Sequence, residues 1–186
     1  MPDPGWIQTY TGRAFFPLDP RLEDIDIADI AYGLAGEMRF GNHAKQRYTV
    51  AQHSVLVSEQ VPVQYALRGL LHDASEAYLG DIPRPLKVLD LFKGYREVEG
   101  VLEERIFTRF NVDPHDWEGK DAVKIADVLL LGVEVRDLMQ PLVRAEDWMW
   151  CLAGTANSNL RITDVWSMEE AEWRFLTRFH DLGGER

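Results

Sequence analysis

Cysteine is almost missing: Cys151 is the only one in 186 residues. No internal disulfide can form, and a reducing cytoplasm is the expected compartment. Long apolar runs are missing too. Stretches such as Val128 to Leu131 fall far short of the roughly 18 residues that suggest a membrane span. The opening Met1-Pro2-Asp3-Pro4 has no basic patch and no apolar h-region, so no signal peptide is expected. Positive charge is scarce, with 20 Lys and Arg against 31 Asp and Glu, a formal net charge of −11. Such a field repels nucleic-acid backbones and anionic lipids, so neither nucleic acid nor a membrane is an expected partner. A small phosphate-bearing ligand would need a local reversal of sign. A divalent cation with a few placed Lys and Arg side chains would supply it. Repeats and low-complexity segments are absent. A composition 46% hydrophobic and 27% charged suits a single globular domain over residues 1–186.

What is present reads mostly as helix. Residues 6–16 alternate weakly through Trp6, Gln8 and Tyr10, and Thr11-Gly12 is a turn signal. A short hairpin followed by Phe15-Phe16-Pro17 is expected within an N-terminal arm over 1–20. Ile27, Ile30, Ala31 and Leu34 then recur at helical spacing. Thr49 and Gln52 form a T-x-x-Q capping box opening a helix to about residue 60, with His53 at the end of its first turn. After Pro62, a helix over about 63–79 carries Leu67, Leu70, Leu71, Ala74 and Tyr78 on its buried stripe. Gly80-Asp81-Ile82-Pro83-Arg84-Pro85 stops it. Helices over about 93–110 and 119–141 follow, the second ending at Pro141. A loop containing Trp148, Trp150 and Trp166 comes next, with Trp148 and Trp150 read as core or subunit interface. Ser167 and Glu170 cap a last helix carrying Ala171, Phe175 and Phe179. Five or more helices with little strand make an all-α, bundle-like domain with a short N-terminal β-hairpin.

The chemistry concentrates at His72-Asp73. Glu76 lies four residues from His72 and three from Asp73, so the three can converge on one helix edge. His53 sits on the preceding helix, which a short connection makes a neighbour. Asp127 lies inside Val123-Lys124-Ile125-Ala126-Asp127-Val128-Leu129-Leu130-Leu131, where a carboxylate is costly unless paired or metal-bound. The plainer alternative is a solvated polar line through Asp121, Lys124, Asp127 and Glu134, interrupted by Leu131. Two imidazoles and two carboxylates would suit a divalent transition metal (Co2+, Mn2+ or Zn2+, with Fe2+ or Ni2+ as further options) better than Ca2+ or Mg2+ alone.

His53, His72-Asp73 and Asp127, in that order, resemble the H…HD…D signature of HD-domain phosphohydrolases. Gln52-His53-Ser54, His72-Asp73-Ala74-Ser75-Glu76, Gly80-Asp81-Ile82-Pro83 and Pro85-Leu86-Lys87 extend the resemblance over about residues 6–140. The branch is that of the bacterial HD-domain 5′-deoxynucleotidases and the phage HD-domain dATP triphosphohydrolases. Residues 142–186 match no family. The resemblance implies an HD-domain helical bundle with His53, His72, Asp73 and Asp127 as metal ligands. It implies Glu76 as the catalytic carboxylate and Asp81 as a further acidic group. Arg39, Lys87 and Lys124 would face phosphate, and Phe40 would lie near sugar and base. Read without the resemblance, Arg39 and Lys87 are also ordinary surface cations, and Phe40 an ordinary core aromatic. His43, His115 and His180 match no motif. Gly94-Tyr95-Arg96 lacks the proline of the G-Y-P element found in cyclic-dinucleotide phosphodiesterases. Glu76 is followed by Ala77, not by the second acid of the alarmone hydrolases.

The implied activity is metal-dependent release of phosphate from a deoxynucleoside 5′-monophosphate. Release of triphosphate from a dNTP such as dATP is the alternative. A non-catalytic protein that senses nucleotide or metal, and a purely structural helical protein, are the competitors from other classes. A homo-oligomer is expected by analogy, with the Trp-rich stretch as interface.

Overall fold

The computed structural model describes residues 5–156 and 158–185; the first four residues of the expected arm lie outside them. Strands β1 (Ile7–Gln8) and β2 (Ala14–Phe15) pair antiparallel, with Ile7 opposite Phe15 and Gln8 opposite Ala14. Gly12 takes the left-handed turn position at φ 84°, which costs a residue without Cβ little. The hairpin is fastened to the helices at both ends. The Thr11 N–H and hydroxyl donate to the Asp29 carboxylate at 2.7 and 2.9 Å, and the buried Phe15 ring stacks on Tyr78 at 4.0 Å between centroids.

The rest is helical. Helix α1 (Ile27–Gly36) is capped by Asp26, and α2 (Val50–Gln60) by Thr49, whose hydroxyl accepts the Gln52 N–H. Gln52 does not complete the expected capping box. Its buried amide needs a partner on each side: it donates to the Asp164 carbonyl at 2.9 Å and accepts the Trp166 N–H at 3.0 Å. The residue before His53 thereby ties the segment after 158 to α2.

The single helix expected over 63–79 is broken into α3 (Ala66–Leu71) and α4 (Glu76–Leu79). His72 Nδ1 donates to the Gly69 carbonyl at 2.8 Å, the carbonyl that would accept the Asp73 N–H in a continuous α-helix. Residues 72–75 wind more tightly instead, with i→i+3 bonds from Ala74 to Leu71 and Glu76 to Asp73, both 3.0 Å. A one-turn helix α5 (Arg84–Lys87) follows, with Pro85 tolerated near its start. Helices α6 (Lys93–Arg109) and α7 (Trp117–Leu138) match the periodicity, although α7 stops at Leu138 because residues leading into a proline avoid the α region. The expected Trp-rich loop contains another helix, α8 (Met149–Thr155). A Cβ at Gly132 would collide with the Cys151 carbonyl, so that glycine lets α8 press against α7. Trp148 is half-buried and Trp150 exposed, so neither is core. Helix α9 (Met168–Asp181) begins at Ser167, which accepts the Glu170 N–H.

Helix α2 is the hub, packed against α1, α3, α7 and α9. One core cluster joins α1, α2, α3, α6 and α9 through residues such as Leu34, Leu70, Ile106 and Phe175. A second joins α2 to α7 through Val57, Val123, Leu130 and Val133. Burying one such aliphatic side chain is worth about 1.5–3 kcal/mol, so α2 is held firmly on both sides. Among the described residues no helix is long and apolar enough to cross a membrane.

Candidate metal centre

His53 lies on the first turns of α2 and is fully buried, while His72 follows the last residue of α3. The two helices approach closely at Gly69, where a Cβ would come within 3.1 Å of the Ser58 Cα. That approach brings the imidazoles together, with Nε2 atoms 3.3 Å apart. Asp73 Oδ2 lies 3.2 Å from His72 Nε2 and 3.6 Å from His53 Nε2. Asp127 projects from α7, its Oδ1 3.5 Å from His53 Nε2. One ligand atom from each of His53, His72 and Asp127 lies within 4.8 Å of the other two, a group that could hold a metal ion.

The donor set fits such an ion. Ligands about 2.1 Å from one centre stand about 3.0–3.4 Å apart, depending on octahedral or tetrahedral arrangement. Four of the six edges here run from 3.2 to 3.6 Å; His72 and Asp127 come within 4.8 Å of each other, and Asp73 stands outside the group formed by His53, His72 and Asp127. The ring orientations agree. A carboxylate and a carbonyl only accept, so both Nδ1 atoms must be donors: His53 to Glu134 Oε1 at 2.6 Å and His72 to the Gly69 carbonyl. Two neutral rings held that way aim both Nε2 lone pairs at one place, which needs a cation or a proton.

Without an ion the proton goes to His72. Burial works against the charged ring, but Asp73 and then Asp127 outweigh it, and the pKa is pushed up to about 9. Burial would raise Asp73 and Asp127, yet the neighbouring imidazoles hold both well below the usual carboxylate range. Glu76 behaves oppositely. It is buried at 6% exposure, and burial followed by the charges of Asp73 and Asp81 pushes its carboxyl well above the ordinary value. Its Oε2 has no hydrogen-bond partner among the described residues.

The remaining expected residues surround this centre, but each cation already has a carboxylate. Arg39 Nη1 is 3.6 Å from Asp73, and its Nε and Nη2 donate to Glu134 at 3.2 and 2.9 Å. Lys87 is paired with Glu99 and sits 3.7 Å from Glu76. Lys124 donates to Asp127 at 3.0 Å from an exposed position. Asp81 is half-buried, with its N–H donating to Glu37 Oε1 at 3.2 Å; burial pushes its carboxyl up while Arg39 pulls the other way. Phe40 is half-buried beneath Arg39 in the left-handed region at φ 57°, ψ 27°. A non-glycine residue there stores about 1–3 kcal/mol of strain. His43, His115 and His180 are exposed.

Glu134 was not among the residues expected at this centre. It is wholly buried, seven residues after Asp127 and therefore on the same face of α7. Its signal was the one that singled out Asp127: a carboxylate between apolar residues, here Val133 and Val135. The exposed Asp121 and Lys124 fit a solvated line, but the line runs inward to Glu134 rather than along the surface.

An all-α domain with a mixed nitrogen–oxygen cluster at its hub is the class defined by fold and site. No family model matches the chain. It is 39% identical to the uncharacterized protein YfdR of Escherichia coli (strain K12), over 72% of each chain. It is 35% identical to an uncharacterized protein of Rhodobacter capsulatus, again over 72% of each. The chain belongs to the family of these two proteins.

Proposed function

We propose that the protein is an HD-domain metal-dependent phosphohydrolase acting on deoxynucleoside 5′-phosphates, most simply a 5′-deoxynucleotidase. The observation that carries this reading is the convergence of His53, His72, Asp73 and Asp127 beside the buried, unpartnered Oε2 of Glu76. Those four residues would hold the ion, and their mixed donors suit Co2+, Mn2+ or Zn2+. Such an ion would polarise a phosphoryl oxygen and acidify water.

The chain's own groups do the rest. The oxygen of a water molecule forms a bond to phosphorus as the bond from phosphorus to the leaving oxygen breaks. Glu76, in its ionised form, takes the water proton and passes it to that oxygen. Arg39 and Lys87 flank the carboxylates and can turn part of their donor capacity to phosphate as the ion neutralises Asp73 and Asp127. The three paired cations leave little free positive charge, which favours one phosphate over three.

The test is product analysis. dAMP, dTMP and dATP are incubated with Co2+ or Mn2+, and orthophosphate is separated from tripolyphosphate. Orthophosphate from the monophosphates is expected; tripolyphosphate from dATP would select the triphosphohydrolase. Equal release from metal-loaded wild type, EDTA-treated protein and Asp73→Ala would refute the mechanism. Saturable nucleotide binding without turnover under every metal would make the protein a sensor.

A further inference from the structure

Glu134 touches no position where substrate could react, yet it is the most tightly engaged carboxylate of the region. Oε1 accepts from His53 Nδ1 at 2.6 Å, and Oε2 accepts from Arg39 Nε and Nη2 at 3.2 and 2.9 Å. Both partners are fixed by the chain. His53 is held in α2, and Arg39 follows Met38, which bridges to Thr49 at the start of that helix. Arg39 reaches Glu134 with one side of its guanidinium while Nη1 stands 3.6 Å from Asp73.

A buried carboxylate is costly unless its oxygens are satisfied. Here both are, by the His53 ring N–H on one side and the Arg39 guanidinium on the other. The arrangement places a strong acceptor behind His53 before any ion arrives. The imidazole is then left with one tautomer, Nδ1–H, and one free lone pair, on Nε2, aimed at His72, Asp73 and Asp127.

We infer that Glu134 is a positioning residue that fixes the tautomer and orientation of His53, and that Arg39 anchors Glu134 in that task. The role rests on His53 being a ligand, as proposed above. It goes beyond that reading by explaining why a second acid is buried in α7, two turns after Asp127. It also assigns Arg39 a second contact: the guanidinium links the carboxylate behind His53 to Asp73 in front of it. Neither the order of the side chains in the sequence nor the four ligands alone requires that link.

The test has two independent parts. In ion-free wild type, at a pH where the ring is neutral, 15N shifts of His53 should show Nδ1–H as the single tautomer; Nε2–H would overturn the inference. In Glu134→Gln the tautomers should mix, and Zn2+ or Co2+ affinity should fall about 10–100-fold, the usual cost of losing a carboxylate behind a ligating histidine. Unchanged affinity and an unchanged tautomer in a folded Glu134→Gln protein would also overturn it. If burying Arg39 without its partner unfolds that variant, Glu134→Gln combined with Arg39→Gln removes the unpaired charge, and the wild-type tautomer still decides. Wild type that binds no metal but keeps Nδ1–H would remove the metal reading and leave the positioning intact.

Discussion

The His72 proton makes ion binding strongly pH-dependent. The ion-free ring is held near pKa 9, but only a neutral imidazole can ligate. At pH 7, about two units lower, roughly one ring in a hundred is neutral, which weakens apparent affinity by about 100-fold, or about 2.7 kcal/mol. Apparent affinity should therefore rise about tenfold per pH unit between pH 6.5 and 8.5 and level off near 9, with about one proton released per ion at pH 7. Stability of the ion-free protein should run the other way. A folded pKa raised above the unfolded value of 6.5 stabilises fully below 6.5, and the contribution is lost as pH rises toward about 9. Calorimetric titration of Mn2+ or Co2+ in buffers of different ionisation enthalpy reads the proton directly. A flat affinity from pH 6.5 to 8.5 with no proton release would refute the electrostatic reasoning.

Three further outcomes follow from the same geometry. Gly69→Ala should push α3 off α2, since the new Cβ would meet Ser58 backbone at 3.1 Å; a loss of about 1–3 kcal/mol in denaturant unfolding should accompany weaker metal binding. Glu76→Gln should lower turnover about 10²–10⁴-fold with metal affinity unchanged. Because the folded Glu76 carboxyl holds its proton more tightly than the unfolded one, the wild type loses stability as pH rises above the ordinary glutamate range, and the glutamine variant should melt slightly higher at neutral pH. His43→Ala and His180→Ala, at exposed positions, should stay within about 0.5 kcal/mol of wild type and bind metal as it does.

Periodicity and capping made the frame legible. Thr49 and Ser167 cap where the sequence places them, and the hairpin turn falls at Thr11-Gly12. What stayed hidden depends on side chains competing with backbone. The 63–79 helix breaks because the His72 ring takes the Gly69 carbonyl, and Gln52 abandons its capping box for a segment more than a hundred residues away. Helix α8 was masked by a tryptophan-rich stretch in which Trp150 is exposed, Trp148 half-buried and only Trp166 packs against the core. At the site, spacing nominated residues that the packing of neighbouring helices brings together, His53, His72 and Asp127 as one group with Asp73 beside His72. It did not reveal that Arg39, Lys87 and Lys124 are already paired, nor that Glu134 stands behind His53. Partners across 81 or 95 positions are set by helix packing and leave no local pattern.

A crystal of the protein soaked in Mn2+ and recorded with anomalous scattering tests the central claim most directly. A single strong peak about 2.0–2.3 Å from His53 Nε2, His72 Nε2 and oxygens of Asp73 and Asp127 is expected. An ion bound elsewhere, or a peak that leaves Asp127 outside coordinating distance, would contradict it.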